Sequence, residues 1–249
     1  MLKRTVTITE YIEANGFKIK QGKPHKHQDQ AERIFKLYKE NHTEKFSDFV
    51  NYFRLLRNSK QNINPNELPE KIKATLVSFE YDVPENGLSK YDCKYLSGDW
   101  LEEWVYYRVK QELGLANEQI LTGTVITKGE TPNEMDVMFV YDHQLYVVEC
   151  KTSVFEDKEQ ADGSLKQMNI LGETIYKSDA LRSKLGLFAQ SSILTLSELL
   201  DDSNMPLQRF KTHFDRASLS RINLISRRKL MNSVSFKVLL GINHVDKSE

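Results

Sequence analysis

The stretch from Asn133 to Ser153, NEMDVMFVYDHQLYVVECKTS, constrains the fold more than any other part of the chain. Two apolar runs, Val137 to Tyr141 and Leu145 to Val148, are dense in Val, Phe and Tyr, which suit a pleated, half-buried surface. The polar Asp142-His143-Gln144 separates them, so the segment predicts a β-hairpin with a short loop. Asp136 stands where the first strand is expected to begin. Glu149 and Lys151 stand where the second is expected to end. Side chains alternate across a strand, so Glu149 and Lys151 share one face and Cys150 points to the other. Antiparallel pairing then carries Asp136 towards Glu149, and two carboxylates and an ammonium converge at one end of an apolar hairpin.

Such a cluster has a chemical consequence. Carboxylates packed together repel, and partial burial makes each more costly to ionise. A divalent cation relieves both costs, and hard oxygen ligands suit Mg²⁺ or Mn²⁺, whereas zinc would want His or Cys. A lysine beside the cation can orient or deprotonate a water, while the cation neutralises charge on a phosphoryl oxygen. The arrangement therefore points to metal-dependent hydrolysis of a phosphodiester. A cross-strand salt bridge on a solvated face is the plainer account of Glu-x-Lys in a chain that is 28% charged. The apolar runs on both sides, the preceding Asp136 and an acidic helix upstream favour the metal site.

A chain of 249 residues can hold one large domain, or a small one and a medium one. Lys and Arg number 35 and Asp and Glu number 35, so the formal net charge is zero. A nucleic-acid binder of this balance must concentrate its positive charge locally. Loose, purely electrostatic binding is therefore not its main mode. Cys93 and Cys150 have no metal-ligand spacing and predict reduced thiols in a cytosolic compartment. No apolar run approaches a membrane span and the start MLKRTVTITEY lacks a secretory core, so a soluble cytoplasmic protein is expected.

Residues 1–90 predict a mostly helical N-terminal module, and residues 91–249 a catalytic domain. Thr7 or Thr9 can cap a first helix that Gly16 ends. Asp29 and Glu32 form a capping box for a second helix, and Phe46, Phe49, Val50, Phe53 and Leu56 mark a third. The intervening KIKQGKPHKHQDQ, with His25 and His27, is expected to be a polar loop and not a metal site. A strand-like ATLVSFEY at 74–81 would suit a winged-helix module, but the third helix carries only Arg54, Arg57 and Lys60. A packing role is favoured over DNA reading.

The stretch 82–99 carries turn signals, after which Asp99 with Glu102 predicts a capping box and Gly114 a helix end. Trp100, Leu101, Trp104, Val105, Tyr107 and Val109 make that helix largely apolar. Either Glu102 or Glu103 could reach the metal site, or Glu102 caps the helix and Glu103 is exposed. Ile120 to Lys128 reads as a strand, SVFEDKEQADGS as a polar loop and 164–185 as a helix. Lys177 and Arg182 on that helix could contact phosphate or simply remain solvated. Strands at 191–196 and 222–226 flank a helix around 206–220. The pattern predicts an α/β sandwich with a mixed sheet flanked by helices.

Asp136, Glu149-Cys150-Lys151 and the preceding helix with Glu102 resemble the PD-(D/E)xK restriction-endonuclease-like fold. More narrowly, GDWLEEWVYYRV, NEMDVMFVYDHQLYVVECKT and ETIYKSDALRSKLG resemble the nuclease half of CRISPR ancillary nucleases, over roughly residues 95–232. Those proteins join a cyclic-oligoadenylate sensor domain to a nuclease that cuts single-stranded DNA or RNA in antiviral defence. TITEYIEANGFKI resembles their linker between sensor and nuclease. The resemblance implies metal ligation by Asp136, Glu149, Glu102 and the main-chain carbonyl of Cys150. It also implies a water-positioning role for Lys151 and a place for Lys177 in the helix after the core strands. Met135 stands where the fold usually has a proline, and Pro132 lies further back. No sensor domain is recognised, so cyclic-oligoadenylate activation is not carried over: either the sensor is on a partner chain, or the chain is a fragment, or regulation works differently, with a homodimer as a further expectation. The alternatives are a restriction or repair nuclease acting on duplex DNA, and a non-catalytic binding or scaffold subunit.

Overall fold

The computed structural model describes residues 6–21, 28–40, 44–57, 61–159, 165–186 and 189–242. In chain order, helix α1 (Ile8–Ala14) and strand β1 (Lys18–Gln21) precede helices α2 (Gln28–Glu40), α3 (Glu44–Leu56) and α4 (Glu70–Ser78). Helices α5 (Lys90–Lys94) and α6 (Trp100–Leu113) lead into strands β2 (Ile120–Lys128), β3 (Thr131–Tyr141) and β4 (Gln144–Lys151). Next come strands β5 (Phe155–Glu159) and β6 (Leu165–Asn169), helix α7 (Leu171–Leu185) and strand β7 (Ala189–Thr195). Helix α8 (Lys211–Leu219), strand β8 (Ile222–Ile225) and the short helices α9 (Arg227–Asn232) and α10 (Phe236–Leu239) follow. The chain divides into two compact units, Met1–Lys23 with Arg108–Glu249, and Pro24–Tyr107. None of the described helices is long and apolar enough to cross a membrane.

The first unit is built on a six-stranded mixed sheet in the order β1-β2-β3-β4-β7-β8. The pairs from β1 to β4 are antiparallel, while β4–β7 and β7–β8 are parallel. Parallel neighbours need a crossover, which α7 supplies between β4 and β7 and α8 between β7 and β8. The β3–β4 turn takes only Asp142 and His143, both at positive φ (46° and 61°), with Tyr141 paired to Gln144. Positive φ at both positions gives a turn whose twist matches that of the strands. On one face Met138, Val140, Leu145 and Val147 pack with Leu181 and Leu185 of α7 and with Ile8 and Ile12 of α1. The period of two in the hairpin thus meets the helical period of α7 in one core. A second cluster, around Val154, Ile175, Ile193, Phe210 and Leu224, holds α8 and β8 in place.

Several elements differ from the sequence expectation. KIKQ, expected in a polar loop, is β1 at the edge of the sheet, paired to Thr127, Ile126 and Val125. SVFEDKEQADGS and the start of the expected 164–185 helix instead provide β5 and β6, a separate two-stranded hairpin. These polar strands have no apolar alternation to announce them; β1 takes its ladder partners from β2, more than a hundred residues away, whereas β5 and β6 pair with each other. β3 begins at Thr131, so Asp136 lies within the strand and not at its start. The long β2 pairs with it as far as Lys128↔Thr131. His25, His27 and Lys60 lie outside the described residues.

The second unit is helical. The expected strand at 74–81 is mostly α4, with Ile72 and Leu76 buried, so no wing is formed among the described residues. Asp29 is inside the first turn of α2, and Glu32 does not close a capping box with it. Its carboxylate instead accepts a hydrogen bond from Trp104 Nε1 at 3.1 Å. Phe35 stacks on Trp104 with ring centroids 3.6 Å apart, and Phe46, Phe49, Phe53, Phe79 and Trp100 fill the centre. Asp99 is likewise not an N-cap. The helical run starts ten residues earlier, where Ser89 caps α5 in a box with Asp92, and a π-helical turn at Tyr95–Asp99 continues it into α6. Burial of Leu96 and Trp100 carries the chain through the Ser-Gly pair that looked like a boundary.

Candidate active site

The strand ladder itself creates the site. Pairing between β3 and β4 ends at Val137↔Val148. Beyond that rung, the Cys150 N–H donates to Asp136 Oδ2 at 2.7 Å. A buried N–H must find an acceptor, so the loss of one rung fixes the orientation of the carboxylate. On the other side of β3, Gly123 of β2 adopts φ +51° opposite Asp136, and the Thr122 hydroxyl donates to the Asp136 main-chain carbonyl at 2.6 Å. Asp136 is thus held at both its side chain and its backbone. The lone glycine in ILTGTVITK was the available signal for this distortion, because glycine inside a strand pattern marks a bend or a close approach.

Glu149 and Lys151 project from the same face of β4, as alternation requires. Lys151 Nζ lies 2.8 Å from Glu149 Oε1 and 3.6 Å from Asp136 Oδ2. One ammonium therefore ties the two carboxylates together. Asp136 is 7% exposed and Glu149 5% exposed, so neither is stabilised by bulk water. Burial, reinforced by the charge of Glu149, pushes the Asp136 carboxyl up to about 6 against the opposing pull of Lys151 and the Cys150 N–H. Burial alone would lower Lys151, but Asp136 and Glu149 outweigh it and hold its ammonium protonated well above the usual lysine range.

Lys177, on α7, reaches the same centre, with Nζ 3.5 Å from Glu149 Oε1. Arg182 does not reach the carboxylates directly. It lines a cleft with Val147, Glu149, Ser178, Leu181 and Ser191, its guanidinium 3.4 Å from Asp179 and its Nε buried without a hydrogen-bond partner. Glu102 is partly buried on α6, within the helical unit, so the cluster inside the sheet unit comprises Asp136, Glu149, Lys151 and Lys177. The expectation of an exposed Glu103 is corrected: it is 7% exposed and hydrogen-bonded to Tyr95, because the aromatic core surrounds that turn of α6. Among the described residues no group of three or more His, Cys, Asp or Glu side chains gathers to hold a metal.

Residues 89–213, half of the chain, match the family model for the Card1-like endonuclease domain. The chain belongs to that family. The Card1-like domain found here spans the start of the helix that caps at Ser89, the whole β2–β4 meander with Asp136, Glu149 and Lys151, and α7 with Lys177 and Arg182. Its fold is shared with solved proteins of low sequence identity. Can2 from Sulfobacillus thermosulfidooxidans, solved in complex with cyclic tetra-adenylate, superposes with a TM-score of 0.61 at 20% identity. Protein VC1899 from Vibrio cholerae superposes with a TM-score of 0.61 at 19% identity. Each likeness covers 91% of this chain but only 59% of the other, so the chain spans less than two thirds of those proteins. No curated protein sequence matches it.

Proposed function

We propose that this Card1-like domain is a metal-dependent endonuclease that hydrolyses phosphodiester bonds in single-stranded DNA or RNA, acting in CRISPR-associated defence. The observation that carries the reading is the pair of buried carboxylates, Asp136 and Glu149, bridged by the Lys151 ammonium at 3.6 and 2.8 Å. Two acids enclosed in this way are costly to keep ionised, and burial, with the charge of Glu149, raises the Asp136 carboxyl despite the two lysines nearby. The donor set is all hard oxygen and fits Mg²⁺ or Mn²⁺ better than zinc. Asp136, Glu149 and the main-chain carbonyl of Cys150 are the residues that would hold the cation. When bound, it supplies positive charge for the phosphoryl group and polarises water.

The protein's own part is to position and to neutralise. Lys151, kept protonated, directs its N–H groups at an attacking water or a phosphoryl oxygen. Lys177 and Arg182, on one helix beside the cleft, take phosphate charge on the substrate strand. Positive charge is thus local, as a chain of zero net charge needs. Can2 was solved with cyclic tetra-adenylate. No residue here is assigned to such a ligand, and a sensor or regulatory partner chain belongs to the same proposal. The deciding experiment is incubation of labelled single-stranded DNA, single-stranded RNA and plasmid with Mn²⁺, with and without EDTA, beside Lys151→Ala. We expect cleavage of a single-stranded substrate that EDTA and Lys151→Ala each abolish while the fold is retained. Full activity in Lys151→Ala, or in EDTA, refutes the assignment, and cleavage confined to duplex would favour a restriction-type enzyme.

A further inference from the structure

We propose that Lys177 exchanges partners: it holds Glu149 until the divalent cation arrives, and then turns to a phosphate of the substrate strand. This rests on the metal-dependent reading above. Asp136 and Glu149 place two negative charges in a centre where neither meets bulk water, and Lys151 answers only one of them. Lys177 answers the other from α7, contacting Glu149 Oε1, the same oxygen that Lys151 holds. That oxygen therefore faces two ammonium groups.

The two lysines are not equivalent. Lys151 is 28% exposed, is anchored in a central strand and contacts both acids. Lys177 is 45% exposed and makes a single contact of 3.5 Å. A divalent charge on the carboxylates repels both lysines, and the one with the longer contact and the easier return to water leaves. Its helix keeps it beside the cleft that Glu149, Ser178 and Arg182 line, where a phosphate is the partner its charge selects. The same side chain thus opposes cation entry and favours the substrate.

These two effects have opposite signs, which makes the exchange testable. Calorimetric titration of Mn²⁺ into the full chain would compare wild type, Lys177→Met and Lys177→Arg, with cleavage of a labelled single strand followed at saturating Mn²⁺. Lys177→Met should bind Mn²⁺ about three- to tenfold more tightly, because a competing charge is gone. It should also cleave about tenfold more slowly, because a phosphate contact is gone. Lys177→Arg should stay near wild type in both. Unchanged or weaker Mn²⁺ binding by Lys177→Met overturns the exchange, since mere damage to the site also weakens binding. A wild type that binds no Mn²⁺, or binding that Asp136→Asn leaves intact, overturns the metal reading itself and the exchange with it.

Discussion

Replacing Asp136 by Asn should stabilise the cation-free protein while removing its cleavage. In the folded chain the Asp136 carboxyl is pushed from 3.8 up to about 6 by burial and by Glu149. An acid whose folded value is raised opposes folding once it ionises. Between those two values the unfolded chain releases the proton more readily, so stability falls as pH rises through the window and stays low at neutral pH. At about 1.4 kcal/mol per unit, the penalty at pH 7 is at most about 3 kcal/mol. Asn cannot ionise, and its side-chain oxygen can still accept from the Cys150 N–H, which Asp136 now does at 2.7 Å. Lys151 loses its longer contact, at 3.6 Å, and keeps the one to Glu149 at 2.8 Å; its attraction is already contained in the raised carboxyl.

A net gain of about 1–3 kcal/mol corresponds to a rise in Tm of about 2–10 °C for a chain of this size. Thermal unfolding in EDTA by circular dichroism at pH 7 and pH 5 measures it. The difference should shrink at pH 5, where the wild-type carboxyl is itself mostly protonated. Adding Mn²⁺ at pH 7 should raise the wild type alone, because a ligand stabilises only the form that binds it. An Asp136→Asn protein that melts no higher than wild type at pH 7, or by the same margin at both pH values, refutes the reasoning.

Two further outcomes follow from the same geometry. Mn²⁺ affinity should weaken about tenfold per pH unit below about pH 6, as Asp136 takes up the proton that the cation must displace; calorimetry showing a flat affinity from pH 5 to 7.5 contradicts this. Gly123→Ala places a Cβ on a backbone at φ +51°, and should cost about 1–2 kcal/mol in thermal unfolding. An unchanged Tm there would mean that the distortion opposite Asp136 is not needed.

The β3–β4 hairpin was legible because its signal is local: β-branched and aromatic runs around a polar turn have one stable solution. The shared face of Glu149 and Lys151 follows from strand alternation alone. The helical run from Ser89 was less legible. Ser-Gly and Asp99 are strong local stop and start signals, and only the aromatic packing around Trp100 overrides them. Likewise β1 is a polar strand whose partner β2 lies far along the chain, so no window of sequence contains its cause, while the β5–β6 hairpin is local but lacks the apolar alternation that would announce it.

The amino-acid order thus determined which residues could carry the chemistry: two acids and a lysine at one end of an apolar hairpin, on faces set by the period of two. The tertiary structure decided how they are held. It ended the β3–β4 ladder one rung short of Asp136, so that a freed N–H orients that carboxylate. It also brought Lys177, 28 residues further along, to Glu149 by packing α7 over the parallel half of the sheet. Periodicity acts over a few residues and can be read directly, whereas the charge balance of a buried site depends on groups that meet only when the sheet and its crossover helix close together.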